Sequence, residues 1–406
     1  MAAPGALAPS ADSTRLYDIR FAALLAIIFG GFGSNALIQP ILPVLILDQG
    51  GDASVVGLIF AAYAIPSVLL RPLIGRLVDT WSRVGVFLAG IIGCAIANIS
   101  YLIPGVGAIF ATRVFHGTAW AAFNTGGNST LYELAPPSRR GEAAGVYTLV
   151  PGVSQMIMPA VGFILLEAMG FSGPFGLAAI MCLVGAALIL VAPIPKAQPP
   201  APPPTGEGFI SSLIERSALL PMLFEFCWTS ANTLFFVFPV VFVKSIGLPI
   251  SELTLYYPTV GLTLVATRLL LGRRVDHHPR GPVLALGASM GIVALAVAAT
   301  SGSIAQLTVA GAIYAAASCF TSPISAALNM DRLDPARRGA AMATYSLGYQ
   351  LGIGTGAAAW GFVIAAMGFP APYVLAIGMM VLMLVLLWGN RRELLIPPGT
   401  SVRRPA

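Results

Sequence analysis

Twelve apolar runs, each long enough to cross a bilayer, leave this chain few folds to choose from. They lie near 21–47, 54–75, 85–104, 107–132, 143–168, 173–193, 217–243, 252–271, 282–300, 304–329, 340–367 and 371–389. A spanning helix needs about 20 mostly apolar residues to cross roughly 30 Å of hydrocarbon. Inside that layer the backbone must satisfy its own polar groups. No run alternates polar and apolar side chains, so spanning strands are excluded. The charge content agrees: Asp, Glu, Lys and Arg make up 9% of 406 residues and apolar side chains 57%, where soluble domains carry about 25% charge. The expected class is an all-α integral membrane protein of twelve transmembrane helices. A secreted disulfide scaffold, a disordered chain and an ordinary soluble enzyme are ruled out.

The basic residues set the orientation. With the N-terminus inside, Arg15, Arg20, Arg71, Arg76, Arg83, Arg139, Arg140, Lys196, Arg216, Arg268, Arg273, Arg274, Arg280, Arg332, Arg337, Arg338, Arg391, Arg392, Arg403 and Arg404 all fall on one side. Lys244 falls on the other and Arg113 lies within a span. Such asymmetry marks the cytoplasmic face. Both termini are therefore expected in the cytoplasm, with the chain a multi-pass protein of a plasma membrane, a bacterial inner membrane by this reading. The net charge of +6 reports topology, not nucleic-acid binding. The polar start and the long run after Phe21 do not fit a cleavable signal. Cys94, Cys182, Cys227 and Cys319 fall within spans, without ligand spacing, and are expected as buried thiols.

An internal repeat divides the chain in two. The pattern R-x-x-x-G-R-x-V-D-x-x-x-R runs from Arg71 through Gly75, Arg76, Val78 and Asp79 to Arg83, and again from Arg268 through Gly272, Arg273, Val275 and Asp276 to Arg280. Pro137-Ser-Arg139-Arg140-Gly141 returns as Pro335-Ala-Arg337-Arg338-Gly339, and Met169-Gly170-Phe171 as Met367-Gly368-Phe369, both displaced by 198 residues. Between the copies, seven prolines from Pro193 to Pro204 favour an extended connection. The expected domains are an N-terminal tail (1–20), a six-helix bundle (21–193), a Pro-rich linker (194–216), a second six-helix bundle (217–390) and a C-terminal tail (391–406). Two repeated bundles around a midplane site are the plan of secondary transporters.

The segment Gly75-Arg76-Leu77-Val78-Asp79-Thr80-Trp81-Ser82-Arg83 resembles the signature between helices 2 and 3 of the major facilitator superfamily, with Ser82 in place of its second glycine. Arg113-Val-Phe-His116-Gly117-Thr-Ala-Trp120 in the fourth span resembles the motif of proton-coupled drug antiporters, with His116 where glutamine is common. Gly152 to Phe163 in the fifth span looks like a degraded antiporter motif, with Met158 and Phe163 replacing glycines. The resemblance implies the major facilitator fold, twelve helices in two pseudo-symmetric six-helix bundles. It also implies a gate built on Gly75, Arg76, Asp79, Arg83, Gly272, Asp276 and Arg280, and a hinge in the fifth helix at Pro151, Pro159 and Gly162. In such a gate the Asp79 carboxylate acts as a latch of the outward-facing state. From the residues alone, Gly75 and Gly272 are expected where a neighbouring helix comes close.

Polar residues inside spans mark candidate sites. Arg113, His116, Trp120, Asn124 and Asn128 recur at spacings of three and four, so they share one helix face. Arg113 can hold a carboxylate or phosphate or influence a neighbouring acid, and His116 can carry a proton or merely donate a hydrogen bond. Glu225, Trp228, Asn232 and Phe235 form a second stripe, with Glu225 roughly 12 Å from the cytoplasmic end. Glu225, His116 and Arg113 are the proton-coupling candidates, and Glu225 is equally open to a packing role beside an arginine. Asn35, Gln39, Arg113, His116, Trp120, Asn124, Gln155, Met156, Trp228, Asn232, Tyr256, Tyr345 and Tyr349 are the substrate-cavity candidates. Their aromatic and thioether groups suit a small organic molecule.

No phosphate loop and no metal-ligand spacing is present, and no catalytic constellation survives. The expected protein is a cofactor-free secondary transporter, not an enzyme, acting as a monomer in lipid without nucleic acid. Its preferred function is proton-coupled efflux of a small organic or drug-like compound. Uptake or exchange of a metabolite or organic anion, with Arg113 as charge partner, is the first alternative. A non-transporting membrane sensor is the remote one.

Overall fold

The computed structural model describes residues 16–136, 139–192, 215–276, 278–331 and 338–391. Most of the expected linker, residues 194–214, and nearly all of both tails therefore lie outside the described residues. Every regular element among them is helical.

In the first half the elements are α1 (Ile19–Ile38), α2 (Ile41–Asp48), α3 (Ala53–Leu69), α4 (Arg71–Thr80), α5 (Arg83–Ser100), α6 (Val106–Leu134), α7 (Arg140–Met169) and α8 (Ser172–Val191). The second half has α9 (Leu219–Phe236), α10 (Pro239–Ser245), α11 (Tyr256–Asp276), α12 (Arg280–Ala299), α13 (Ile304–Ala317), α14 (Ser322–Asp331), α15 (Arg338–Met367) and α16 (Pro370–Gly389). The repeat found in the sequence carries through to the backbone. Displaced by 198 residues, α7 and α8 fall on α15 and α16 end for end.

Breaks within spans follow local chemistry. Pro40 separates α1 from α2, and Pro239 opens α10 after α9, at repeat-related positions. A proline supplies no N–H to the helical ladder, so the helix stops and restarts there. The pair α3–α4 bends by 45° and the pair α9–α10 by 41°. Seven single helices and the stretch Ile304–Met330, which runs through α13 and α14, pass as membrane spans by length and composition, and the two bent pairs bring the number to ten. Two further helices are long enough despite their polar side chains. α6 has 29 residues and α11 has 21, about 43 and 32 Å at 1.5 Å per residue. The described residues thus make twelve crossings. The hinge expected in the fifth span is not a break: α7 runs unbroken through Pro151 and Pro159, and Gly162 lies against the Leu37 carbonyl of α1.

Alternating crossings place Arg20, Arg76, Arg83, Arg140, Arg216, Arg274, Arg280 and Arg391 at one face, the basic face. Asp48, Asp52, Glu167, Lys244 and Glu252 lie at the opposite face. The apolar core is distributed unevenly between these faces. One cluster joins the two halves and draws on Leu37–Ile46, Phe163, Phe235–Val243, Tyr256, Tyr257 and Trp360, all toward the opposite face. Three other clusters, reaching toward the basic face, each stay within one half.

The helices between the halves show the same bias. α3 meets α15 where Gly57 lies on the Ala357 carbonyl, Gly361 on the Ala53 carbonyl and Gly354 on the Ala64 side chain. α7 meets α11 through Met156 against Gly261, and through the Phe163 and Tyr257 rings, stacked 5.7 Å apart. Among the described residues the halves are thus sealed together toward the opposite face and part toward the basic face.

Candidate functional site

Two polar clusters stand inside the apolar body, one in each half. In the first half, α6 approaches α3 so closely that a Cβ at Gly117 would fall on the Tyr63 carbonyl oxygen. This contact places His116, next to Gly117, and Arg113, one turn before it, against side chains from α3 and α5. The Arg113 guanidinium lies 4.7 Å from the Phe60 ring, 4.7 Å from the Tyr63 ring and 5.8 Å from the Tyr101 ring. A cation held over aromatic faces is attracted by their quadrupoles. Arg113 is 1% exposed, and its Nε and Nη1 have no hydrogen-bond partner among the described residues.

His116 is fully buried and shares a 3.0 Å hydrogen bond with the Tyr101 hydroxyl through Nδ1, while its Nε2 has no partner. The Tyr63 hydroxyl accepts from Asn35 Nδ2 at 2.7 Å, and Asn35 Oδ1 accepts from Gln39 Nε2 at 3.0 Å. Gln39 is half-buried and stands at the break between α1 and α2. Trp120 packs edge-on to Phe32, with ring centroids 4.8 Å apart. Asn124 accepts from Asn128 one turn along its own helix.

In the second half the centre is Glu225 of α9, 2% exposed. Ser322 of α14 donates to Oε1 at 3.0 Å and Tyr345 of α15 donates to Oε2 at 2.8 Å. Tyr345 also reaches the Ser322 carbonyl at 3.1 Å. The arginine partner considered from sequence is absent among the described residues; two hydroxyls hold the carboxyl instead. Close helix packing sets this geometry, because Gly348 and Gly352 of α15 lie on the Met222 and Phe226 carbonyls of α9. Tyr349, one turn beyond Tyr345, is 46% exposed.

Several of the expected cavity residues are packed against other side chains and backbone in this structure. Trp228 stacks on Tyr314 at 4.1 Å, and its carbonyl accepts from the Tyr314 hydroxyl at 2.7 Å. Tyr256 is fully buried and donates to the Phe235 carbonyl. Met156 belongs to the seal between α7 and α11, beside Gln155. Asn232 of α9 is half-buried.

The gate reads differently from expectation as well. A Cβ at Gly75 would meet nothing within 4 Å, and one at Gly272 would meet only the Arg268 side chain, so neither marks a close approach in this conformation. Arg83 pairs with Glu133 of α6 at 3.5 Å. Arg76 lies in α4 and Arg280 opens α12. The side chains of Asp79, Arg273 and Asp276 lie outside the described residues. Phe60, Tyr63, Tyr101, Glu133 and Ser322 were not singled out from sequence, because each joins its cluster from a different helix and no spacing signals that. All four cysteines are buried and free.

The Major Facilitator Superfamily profile matches residues 24–304 and 226–404. The staphylopine export protein of Staphylococcus aureus is 27% identical over 130 residues, covering 32% of this chain and 33% of that protein. Multidrug resistance protein 2 of Bacillus subtilis is 26% identical over 170 residues, 41% of this chain and 42% of that protein. The quinolone resistance protein NorA of S. aureus is 27% identical over 168 residues, 39% and 42%. The chain thus matches less than half the length of each of these relatives. Among solved structures, a bacterial homolog of the human lysosomal transporter Spinster, inward-facing and unoccupied, superposes with a TM-score of 0.75 at 16% identity, covering 93% of this chain and 97% of that one. A POT family transporter in complex with 5-aminolevulinic acid gives 0.77 at 12% identity, covering 94% and 98%. With the repeat, the twelve crossings and the profile over both halves in agreement, this chain belongs to the Major Facilitator Superfamily, a family of membrane transporters and not of enzymes.

Proposed function

We propose that the chain is a secondary transporter that exports a small organic compound in exchange for protons by alternating access. The observation that carries the coupling is Glu225. It is a buried carboxyl bonded to the hydroxyls of Ser322 and Tyr345 and to no cation among the described residues. Such a group can gain or lose a proton without breaking an ion pair, and its three helices α9, α14 and α15 feel the change directly. Export rather than uptake draws its support from the relatives: one is named an export protein for staphylopine, and two are named for resistance to drugs.

In this reading the basic face is cytoplasmic, by the positive-inside rule, and the protein works as a monomer in a bacterial inner membrane with both termini inside. The conformation described is then open to the cytoplasm. The segment around Asp79 latches the basic face in the opposite state, where Gly75 and Gly272 would be brought against neighbouring helices.

The test is transport in proteoliposomes of known orientation, with the cation ethidium and the carboxylate salicylate tried in turn and the transported one kept as the probe. Wild type accumulates the probe against its gradient when a pH gradient is imposed and exchanges it without one. Glu225→Gln keeps the exchange and loses the pH-driven accumulation. Undiminished pH-driven accumulation by that variant would falsify Glu225 as the coupling site.

A further inference from the structure

Resting on the transporter reading above, we infer that the Arg113 cluster is the seat for the carboxylate of an organic anion, and that this protein's substrate carries one. Three features of the cluster lead there. The first is charge: a guanidinium 1% exposed has no carboxylate beside it among the described residues. Leaving a buried charge uncompensated is costly, and the three rings around Arg113 supply only part of what a counter-ion would.

The second is hydrogen bonding. Arg113 Nε and Nη1 and His116 Nε2 are all buried without a partner. Nε and Nη1 face different edges of the guanidinium, so the cluster leaves separate charged donors, each able to form a strong hydrogen bond to an anionic oxygen. The Tyr101 ring lies 5.8 Å from the guanidinium and its hydroxyl is bonded to His116, so one side chain braces both groups.

The third is a route. Gln39, Asn35 and Tyr63 form a hydrogen-bonded line from the half-buried break between α1 and α2 to the ring beneath Arg113. Its amide N–H groups can receive an anion on the way in. Phe32, Trp120, Tyr63 and Phe60 supply flat apolar faces for the remainder of the molecule, so an aromatic or otherwise flat carboxylate fits best.

The repeat sharpens the assignment. In the repeat, Arg113 corresponds to Gly311 and His116 to Tyr314 at a displacement of 198, and Tyr63 to Val260 at the displacement of 197 that relates Arg71 to Arg268. The second half fills this place with stacked rings of Trp228, Tyr314 and Phe235 instead. A cluster needed only to hold a six-helix half together would have no reason to be cationic in one copy and neutral in the other.

The experiment measures binding by thermal stabilisation of the full-length protein in lipid nanodiscs, with no gradient present. The probes are benzoate, salicylate and indole-3-acetate, each against its neutral carboxamide, with benzylamine and sodium chloride as further arms. At least one carboxylate should stabilise the wild type in a saturable manner while its carboxamide and benzylamine do not. Arg113→Gln should weaken that binding by at least about tenfold, and Arg113→Lys, which keeps the charge but not the guanidinium donors, should weaken it less. Leu190→Ala, at the exposed end of α8 and outside both clusters, should bind the carboxylate as the wild type does.

Failure of all three carboxylates to stabilise the wild type overturns the inference. So does a carboxamide or benzylamine that binds as tightly, or retained carboxylate binding in Arg113→Gln. Saturation by chloride that carboxylates cannot displace would make the seat one for an inorganic ion and overturn the organic substrate. Should carboxylates bind as stated while Glu225→Gln retains pH-driven transport, the coupling reading fails alone.

Discussion

At Gly117 the chain carries no side chain because Tyr63 leaves no room for one. The contact brings α6 onto α3 and thereby sets Arg113 against Phe60 and Tyr63. Gly117→Val would force overpacking there, which typically costs about 1–3 kcal/mol. Its expected outcome is a lower midpoint of thermal unfolding in detergent and weaker carboxylate binding, even though the substituted residue touches no ligand. An unchanged midpoint would show that the helices do not meet as described. The sequence shows at this scale which residues of one helix share a face: spacings of three and four group Arg113 with His116 and Glu225 with Trp228. It is silent on what arrives from other helices. Tyr101 and Ser322 are ordinary residues of their own spans, and only the fold carries them to His116 and Glu225. Aromatic residues mislead in the other direction, since Tyr256 and Trp228 have the composition of a binding surface but spend it on packing and on backbone carbonyls.

Among the elements, α15 carries the most contacts of consequence. One face sets Gly348, Gly352 and Gly356 on α9, and another sets Gly354, Ala357 and Gly361 on α3. Small residues let backbones approach, and in lipid such approach supplies dispersion contacts that the hydrophobic effect cannot. The helix thus bears Tyr345, the partner of Glu225, while sealing the two halves. Gly57→Val would press on the Ala357 carbonyl and open that seal. A cysteine placed at Ala53, 6% exposed in the native chain, should then react with a membrane-impermeant maleimide added at the opposite face. It should remain protected when Gly57 is intact. Equal protection in both backgrounds would contradict a seal at this helix pair. Helix existence and order were legible because apolar runs and the repeat report them. The breaks were legible only where proline causes them, as at Pro40. The prolines of α7 show the limit of that rule, for Pro151 and Pro159 sit inside an unbroken helix.

For the whole molecule, the 198-residue repeat explains both the architecture and its motion. Two copies of one six-helix unit pack through α3 with α15 and α7 with α11, side by side about an axis along the membrane normal, so each half can rock as a body against the other. The described conformation takes the closure at the opposite face. Function is concentrated where the copies differ: the cationic cluster around Arg113 in one half and the hydroxyl-held Glu225 in the other. No repeat-related partner stands opposite either of them. On the proposed reading, a bound anion and a bound proton, tied to one another only through the halves they belong to, would communicate by moving those halves.

Distances between paired spin labels test that movement most directly. Labels at Leu77 and Arg274, both exposed near the basic face, report one end of the cleft, and labels at Ile103 and Leu248 report the other. On going from neutral to acidic pH in nanodiscs, the account predicts that the first distance distribution shifts shorter while the second shifts longer, and that Glu225→Gln removes the response. Two distributions that stay fixed, or that lengthen or shorten together, would contradict rocking halves driven from Glu225.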